Sequence, residues 1–562
     1  MESLKISILD LLIIVSYFIG VVYLGIWISK KKIKGGDDYF LAGRQMTWPY
    51  VGASLFSTNI SSQQFVGQAG LAFIGGIAVG TFQMIGALSF GLLAVFFLDT
   101  YRGLKLYTSP EFFERRYNSS TRSLVSGVNV IMIMLATVSA ALYAGAVVTL
   151  TLLGQSPDGT MLWTTVIILG VLTGSYTLLG GLQAVMITDF VQNILLILGG
   201  LLTLVIGIAK VGGLDAIMAM QTMDGGSMWS LVHPIGHEFG WISILTGVVI
   251  LGIHGHCTDQ DYIQRALSAR SSYHAKMGAI FAAFLKILAL FICAIPGVVA
   301  AKLFADMGLQ LNQDQAYVRL MIEVLPMGFL GLALAGLLAA IMSSVDSGLC
   351  AASSLITIDF IAKRDKSVMD QDKMLKYGRY TIMALLIFAI LWAPFIQKFK
   401  GLFNYLMLLW SLLAPPVVVS VLAGLFYKKA NSKGAVATII TGIVLGLVGF
   451  IMLQRPDIFN GIISFFGADG FSVRDDFNWY FLNKFNVSFL ITVACTIVMW
   501  VVSEKTGQTA EELAQVEDIF EARKSKDDQM TPEETKKYKY ALITLGVFWV
   551  SVLVLFSPWG IA

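Results

Sequence analysis

The sequence predicts an all-α polytopic membrane protein with about fourteen transmembrane helices. Apolar residues make up 56% of the 562 residues and charged residues only 13%, with a mean hydropathy of +0.75, whereas about 25% of the residues in soluble domains are charged. Apolar runs of about 20 residues, enough to cross a hydrocarbon core of about 30 Å, recur along almost the whole chain. No stretch between them is long enough for a sizeable soluble domain, so we expect the function to lie within the bilayer.

The fourteen predicted spans follow one another with mostly short connections. The first span is expected to remain as an anchor, because it is too long for a cleaved signal peptide, lacks a basic start and is followed by lysines at 30–32. The spans are predicted near 8–29, 47–68, 74–99, 122–153, 160–180, 183–209, 241–263, 277–301, 327–358, 380–397, 401–424, 433–453, 485–502 and 540–558.

The distribution of basic residues predicts the orientation of the chain. If the N-terminus lies outside, the inner segments hold 29 of the 39 Lys and Arg residues and the outer segments hold nine, with Lys286 inside a span. Basic residues accumulate on the cytoplasmic side of membrane proteins, so this excess predicts an external N-terminus and a cytoplasmic 503–539 segment. A net charge of +3 is too balanced to favour a nucleic-acid partner.

Two spans are interrupted by polar and glycine residues. Residues 54–64 read SLFSTNISSQQ in the second span, and residues 252–262 read GIHGHCTDQDY in the seventh. Broken helices at corresponding places, here five spans apart, are typical of secondary transporters built from an inverted repeat, with the solute near the midplane. The alternative is a pair of amphipathic helices that line a pore or an interface.

Ionisable and hydroxyl side chains at membrane depth mark further candidate sites. Lys286 lies about 15 Å along a helix from Lys276 and about 24 Å from Lys302, too deep to reach either interface easily. Its role is either functional or a structural ion pair. Asp189 in the sixth span and the run Ser343-Ser344-Val345-Asp346-Ser347 in the ninth offer oxygen ligands for Na⁺. Serines in such helices also serve for close packing, which is the structural alternative.

Several other classes of function are disfavoured by the sequence. No glycine-rich phosphate loop followed by Lys-Ser or Lys-Thr is present, so ATP-driven transport by this chain is not expected. His254, His256 and Cys257 lack a second cluster with metal-ligand spacing, so no transition metal is predicted. We predict no enzymatic activity, because no set of acids, histidines or metal ligands converges. A solute sensor stays as an alternative, although no output module is evident.

In its motifs the sequence resembles the sodium/solute symporter family, in the branch of the sodium/glucose cotransporters. The resemblance covers roughly residues 8–450 and depends on the order and spacing of short motifs. They are FLAGR at 40–44, STNI at 57–60, QFVG at 64–67, GGLQAV at 180–185 with TD at 188–189, DQ at 259–260, QR at 264–265, FLK at 284–286, SS at 343–344 and GLF at 424–426.

The resemblance implies a leucine-transporter-like core of five plus five helices, formed by spans two to eleven, and inward movement of Na⁺ and solute by alternating access. It also implies that Na⁺ is the coupling ion. A principal sodium site would comprise the carbonyls of Ser57, Ile60 and Ala340 and the hydroxyls of Ser343 and Ser344. A second sodium site, present in some members, would map to Asp189, Ser343, Asp346 and Ser347.

The substrate site implied by the resemblance matches the family only in part. Gln64 and Lys286 match sugar-contacting positions, whereas Gln83 stands where glucose and galactose transporters have Glu, and Met407 where they have Gln. Gly86 replaces a Ser of the bacterial galactose transporter, and Gly255-His256 replace a Tyr-Trp pair whose Tyr stacks on the sugar. We therefore expect a changed pocket in which Gln64, Gln83, Lys286, His256 and Met407 contact the solute.

Together these observations predict a sodium-coupled symporter that imports a small neutral polyhydroxylated solute, a sugar or polyol, across the cell membrane. The alternatives are another organic solute, such as sialic acid, an amino acid or an organic acid. We divide the chain into an N-terminal helix and loop (1–46), the transport core (47–424), two further helices with an external loop (425–502), the charged segment (503–539) and a last helix (540–562).

Overall fold

A computed structural model describes residues 6–32, 41–61, 63–222, 226–234, 237–365, 368, 370–399, 401–455, 457, 483–523 and 529–560. Within these ranges all regular secondary structure is helical, and β-pairing is limited to isolated bridges. The principal helices are α1 Ile8–Lys32, α2 Trp48–Asn59, α3 Gln63–Gly103, α4 Glu111–Arg116, α5 Ser119–Leu152, α6 Gly159–Lys210, α7 Leu214–Met218, α8 Trp241–Thr258, α9 Gln260–Leu267, α10 Ser272–Asp306, α11 Ala316–Val324, α12 Phe329–Arg364, α13 Gln371–Trp392, α14 Leu402–Phe426, α15 Ser432–Gln454, α16 Lys484–Thr506, α17 Ala510–Ala522 and α18 Pro532–Leu555.

Eleven helices in the described part of the chain are long and apolar enough to cross a membrane. Two shorter apolar helices, Ile8–Tyr17 and Gly159–Gly174, accompany them. The all-helical polytopic class is thus confirmed, whereas the number fourteen stays a prediction. The second predicted span is divided, because α2 has only 12 residues before its break.

The fifth and sixth predicted spans lie within one helical element, α6, of 52 residues. Its first half lies against α13, where a Cβ on Gly170 would meet Ile390 and a Cβ on Gly174 would meet Leu386. Its second half lies against α12, where Asp189 bonds to Ser343 and a Cβ on Gly199 would meet Ala333. The two predicted spans therefore have different neighbours within one helical element.

Both predicted interruptions are present. Helix α2 ends at Asn59, where Ile60 adopts an extended conformation (φ −87°, ψ 93°), and α3 resumes at Gln63. Helix α8 ends at Thr258, and Asp259 is extended (φ −70°, ψ 132°) before α9 begins. Each break exposes backbone N–H groups inside the protein, and nearby side chains satisfy them. The Gln64 side chain accepts the Ser61 N–H at 2.9 Å, and the Asp259 carboxylate accepts the Asp261 N–H at 3.2 Å.

The broken helices pack closely on their neighbours through glycines. Gly52 of α2 and Gly278 of α10 face each other, and a Cβ on Gly52 would lie 2.6 Å from the Gly278 carbonyl oxygen. In α8, which carries the second break, a Cβ on Gly252 would lie 2.5 Å from the Ser89 hydroxyl of α3. Such small residues allow helix backbones to approach one another in membranes. The two breaks are thereby held against α3 and α10, which carry further candidate residues.

Candidate functional site

A cavity of about 60 Å³ lies between the two breaks, which is room for several water molecules. Residues from α2, α3, α5, α8, α9, α10 and α14 line it. All five residues predicted to contact the solute, Gln64, Gln83, His256, Lys286 and Met407, are among its lining residues. The structure therefore brings together side chains that are up to 343 positions apart in the sequence.

Lys286 projects from α10 and is only 3% exposed. Its aliphatic chain crosses the position where a side chain at Gly86 would begin, and a Cβ there would collide with the Lys286 Cε. The glycine thus provides the space that the lysine occupies. Among the described residues, the Lys286 ammonium has no hydrogen-bond or ion-pair partner. The structural alternative of an ion pair with an acidic neighbour is therefore not realised among those residues.

His256 has a defined ring orientation at the second break. Its Nδ1 lies 2.9 Å from the Gly252 carbonyl oxygen, which can only accept, so Nδ1 carries a proton. The Asn59 amide lies 3.3 Å from its Nε2 and donates to the Tyr262 hydroxyl at 2.8 Å. Phe90 packs edge-on against the imidazole, with ring centroids 4.4 Å apart. The side chains of the two breaks are therefore joined directly.

Sequence reasoning missed Asn59 and Tyr262 as site residues. Asn59 lies within the quoted motif at 57–60, but the motif assigned roles only to Ser57 and Ile60. Tyr262 follows the second break, and its ring lies 5.1 Å from that of His256. The available signal was that both residues lie within the predicted interruptions, at 54–64 and at 252–262. The Tyr262 phenol provides an aromatic ring in the cavity wall, where position 255 is a glycine.

The glutamines form a polar wall. Gln64 Oε1 caps the Ser61 N–H, while Gln83 Nε2 donates to Gln68 Oε1 at 2.5 Å. In turn Gln68 Nε2 donates to the Val79 carbonyl at 2.9 Å. Gln83 Oε1 is buried and has no partner in the portion of the chain described. A buried acceptor without a donor is costly, so a ligand hydroxyl at this atom would be favourable.

Part of the predicted principal sodium set is in mutual contact. The Ser57 and Ser343 hydroxyl oxygens are 3.5 Å apart, and Ser344 donates to the Ala340 carbonyl at 2.9 Å. Ile60 is the residue with extended conformation that follows the end of α2. The arrangement thus combines the C-terminal end of α2 with the middle of α12. Both elements present oxygen atoms, which are the ligands that Na⁺ prefers.

The residues predicted for a second sodium site join a buried charge cluster. Asp189 accepts hydrogen bonds from Ser54 (2.6 Å) and Ser343, and the same Ser54 hydroxyl accepts from Arg265 Nε at 2.9 Å. Arg265 also donates to Ser347 and forms an ion pair with Asp261 at 3.1 Å. Asp346 is buried on the same helix as Ser343 and Ser347.

Arg265 is the principal residue that sequence reasoning misplaced. Its position after the seventh span put it among the basic residues of an inner loop, but the structure buries it completely. A buried guanidinium needs acceptors, and Asp261, Ser54 and Ser347 supply them. The guanidinium offsets part of the negative charge of Asp189 and Asp261 and ties α9 to α2 and α12.

Aromatic residues pack together on one part of the cavity wall. Phe82 and Phe403, which both line the cavity, pack with ring centroids 5.2 Å apart, and Phe239 and Phe485 pack around Phe82. Outside the cavity lining, the Ser109 N–H donates to Gln260 Oε1 at 2.6 Å. This bond holds the start of α9 against the segment that precedes α4.

Comparisons with known proteins show the family of the chain. The sodium:solute symporter family model matches residues 39–442. Sodium/myo-inositol cotransporter 2 of Sus scrofa is 34% identical over 479 residues, which cover 79% of this chain and 70% of that protein. Sodium/glucose cotransporter 4 of Danio rerio is 31% identical over 476 residues, covering 79% of this chain and 72% of that protein.

A solved structure shares the fold. It is the substrate-bound outward-open state of a Na⁺-coupled sialic acid symporter, which matches with a TM-score of 0.72 and 20% sequence identity. The match covers 89% of this chain and 99% of that chain. At this identity the likeness concerns the path of the backbone. The fold class predicted from the sequence is therefore confirmed.

Proposed function

Because the chain belongs to the sodium:solute symporter family, we propose that it imports a small polyhydroxylated solute of the sugar or polyol class with Na⁺. Sodium coupling follows from family membership, and transport rather than catalysis is the common activity of the relatives. The proposal concerns the solute, the residues that bind it and the direction of transport.

The observation that carries the proposal is the cavity between the two broken helices. It combines amide groups of Gln64 and Gln83, the ammonium of Lys286 and apolar walls that include Met407 and Trp410. Amides and ammonium groups hydrogen-bond hydroxyl groups, while apolar and aromatic walls cover the carbon skeleton of a sugar or polyol. The two relatives described above are named for myo-inositol and glucose, which are solutes of this class.

For the cation, we propose the principal site formed by Ser57, Ile60, Ala340, Ser343 and Ser344. Occupancy would tie the end of α2 to α12 and would stabilise the break next to the cavity. A second ion at Asp189, Ser343, Asp346 and Ser347 would share this region with the Arg265 guanidinium, which already donates to Ser347. The structure thus favours the principal site as the first to fill.

The same proposal includes the topology. We place the N-terminus outside and the chain in the cell membrane, and we assign residues 47–424 to the transport core. The aromatic cluster of Phe82, Phe239 and Phe485 then lies on the outer side. The bond between Ser109 and Gln260 lies on the cytoplasmic side. Alternating access would open the cavity to these two sides in turn.

The first experiment is a measurement of thermal stability of the purified protein in Na⁺, with K⁺ and choline as replacements. Glucose and myo-inositol are tested in each salt. A ligand at about 100 times its Kd stabilises the native state by about 2.7 kcal/mol. We expect Na⁺ alone to raise the melting temperature and the solute to raise it further only in Na⁺.

The controls distinguish solute binding from general effects. Trimethylamine N-oxide at equal osmolarity, which belongs to neither the sugars nor the polyols, reports stabilisation by exclusion from the protein surface. No effect of Na⁺ alone, together with solute stabilisation of equal size in Na⁺, K⁺ and choline, would contradict the proposal and would favour a solute sensor or an uncoupled carrier.

A further inference from the structure

Lys286 is a buried cation without a protein counter-ion in the part of the chain that the structure describes. It is 3% exposed, lines the cavity and has no described carboxylate oxygen within 4 Å of its Nζ. By helix length it lies about 15 Å from Lys276 and about 24 Å from Lys302, so it cannot easily reach water at either interface. An ammonium at this depth gains much from an anionic partner.

The other charged groups of the cavity have partners of their own. Asp261 pairs with Arg265, and the Asp259 carboxylate caps the N-terminus of α9 by accepting the Asp261 N–H. Asp189 is held by hydroxyl donors from α2 and α12. None of these acids therefore forms an ion pair with Lys286 in the described part of the chain.

The α3 wall beside Lys286 is uncharged. Gly86 lies against the lysine side chain, and Gln83, one helical turn earlier on the same face, has a neutral amide that donates to Gln68. Gln83 Oε1 is unpartnered, so this wall offers an acceptor to a hydroxyl but no negative charge to the ammonium. A ligand can supply the missing charge.

We propose that Lys286 forms a carboxylate subsite, so that a polyhydroxylated solute carrying an acid group, such as a uronic or aldonic acid, binds better than the neutral sugar of equal size. The acid group pairs with the Lys286 ammonium in a charge-assisted hydrogen bond. The hydroxyl groups are held by the glutamine wall, with Gln83 Oε1 as one acceptor. This inference rests on the proposed function, because it places the acid in the same cavity and in the same sodium-coupled cycle.

The test compares matched ligands by sodium-dependent thermal stabilisation and by uptake into proteoliposomes. D-glucuronate and D-gluconate are compared with D-glucose and myo-inositol, and lactate serves as an acid with few hydroxyls. We expect the half-saturating concentration of the better acid to be at least about tenfold below that of glucose, which corresponds to about 1.4 kcal/mol. Lactate should bind weakly.

Three variants locate the effect. Lys286→Gln keeps a hydrogen-bond donor but removes the charge, so it should abolish the preference for the acid and retain neutral solutes. Gln83→Glu supplies an internal counter-ion beside Lys286, so it should reverse the preference. Lys302→Gln is the matched control on the same helix, because that lysine pairs with Asp306 away from the cavity, and it should leave both affinities unchanged.

The outcomes separate this inference from the proposed function. Sodium-dependent binding of glucose or myo-inositol, with acids bound no better, would overturn the carboxylate subsite and leave the proposed function in place. The same conclusion would follow if Lys286→Gln kept the full acid preference, since the preference would then come from a group other than Lys286. Absence of sodium-dependent binding for every solute would count against the proposed function itself.

Discussion

Ser343 is the residue at which the candidate cation sites meet. Its hydroxyl donates to the Asp189 carboxylate, and its oxygen also lies 3.5 Å from that of Ser57. Asp189 is fully buried, and its other oxygen accepts from Ser54 at 2.6 Å. A buried carboxylate depends on such donors, because hydrogen bonds to charged groups contribute about 1.5–3 kcal/mol each. Ser343 therefore serves both as a proposed ligand and as a donor that holds Asp189.

Ser343→Ala should raise the Na⁺ concentration for half-maximal uptake by about tenfold or more, since it removes one oxygen ligand and one donor to a charged group. The measurement is the sodium dependence of solute uptake in proteoliposomes. Ser353→Ala is the matched control: this serine is also buried on α12, but its hydroxyl donates to the Gly378 carbonyl. Unchanged sodium dependence in a folded Ser343→Ala variant would contradict the site assignment.

At the scale of elements, α1 holds the beginning of α12. Asp10 of α1 is 1% exposed, and its Oδ1 accepts the N–H groups of Gly328 and Gly331, both at 2.8 Å. The first N–H groups of a helix lack partners within the helix, and a carboxylate there also interacts favourably with the helix dipole. A Cβ at Gly331 would lie 2.6 Å from the Asp10 Cα, so the glycine permits the close approach. The helix before the core thus fixes the start of the helix that carries Ser343.

Asp10→Ala should destabilise the protein by about 1–3 kcal/mol, because it leaves two buried N–H groups without an acceptor. Asp10→Asn keeps an acceptor oxygen and should cost less. Thermal unfolding in detergent measures both variants, with Asp306→Ala as the control for loss of a half-exposed acid at a helix end. Equal melting temperatures for the Asp10→Ala variant and the control would show that α1 does not stabilise α12 in this way.

At the scale of the whole molecule, the cavity lies next to the proposed sodium site, since Thr58 and Asn59 line it and Ser57 and Ile60 belong to the site. Asn59 connects the two breaks by donating to Tyr262, and the following residue, Ile60, belongs to the proposed sodium set. A change at the α2 break is therefore transmitted directly to the cavity wall. Sodium and solute that favour the same arrangement of this break must each raise the affinity of the other.

This linkage predicts equal factors in both directions. If saturating Na⁺ lowers the Kd of the solute by a factor within the usual range of about 5–150, saturating solute must lower the Kd of Na⁺ by the same factor. Two calorimetric titrations on the purified protein measure the pair. Li⁺ and K⁺ serve as cation controls. A solute affinity that is equal with and without Na⁺ would contradict coupling through the α2 break.

The class of the protein, its two interruptions and its family could be predicted from the sequence alone. Hydropathy, span length and the polarity of short segments are local properties, so they can be determined from the sequence without knowledge of the fold. The depth of Lys286 followed in the same way from its distance to flanking lysines. The convergence of Gln64, Gln83, His256, Lys286 and Met407 on one cavity was expected from the resemblance, and the structure brings these residues together.

Only the tertiary structure decided the partners of these residues. The bonds of Arg265 to Ser54 and Ser347, the bond from Asn59 to Tyr262 and the capping of α12 by Asp10 do not follow from any local pattern. Asp10 and Gly328 are 318 positions apart, and their contact depends on how the whole chain is packed. Arg265 was counted with an inner loop because it follows the predicted seventh span, whereas buried acceptors stabilise it inside the protein. Periodicity and composition describe a segment by itself, but the energy of a buried charge is determined by the groups that folding places around it.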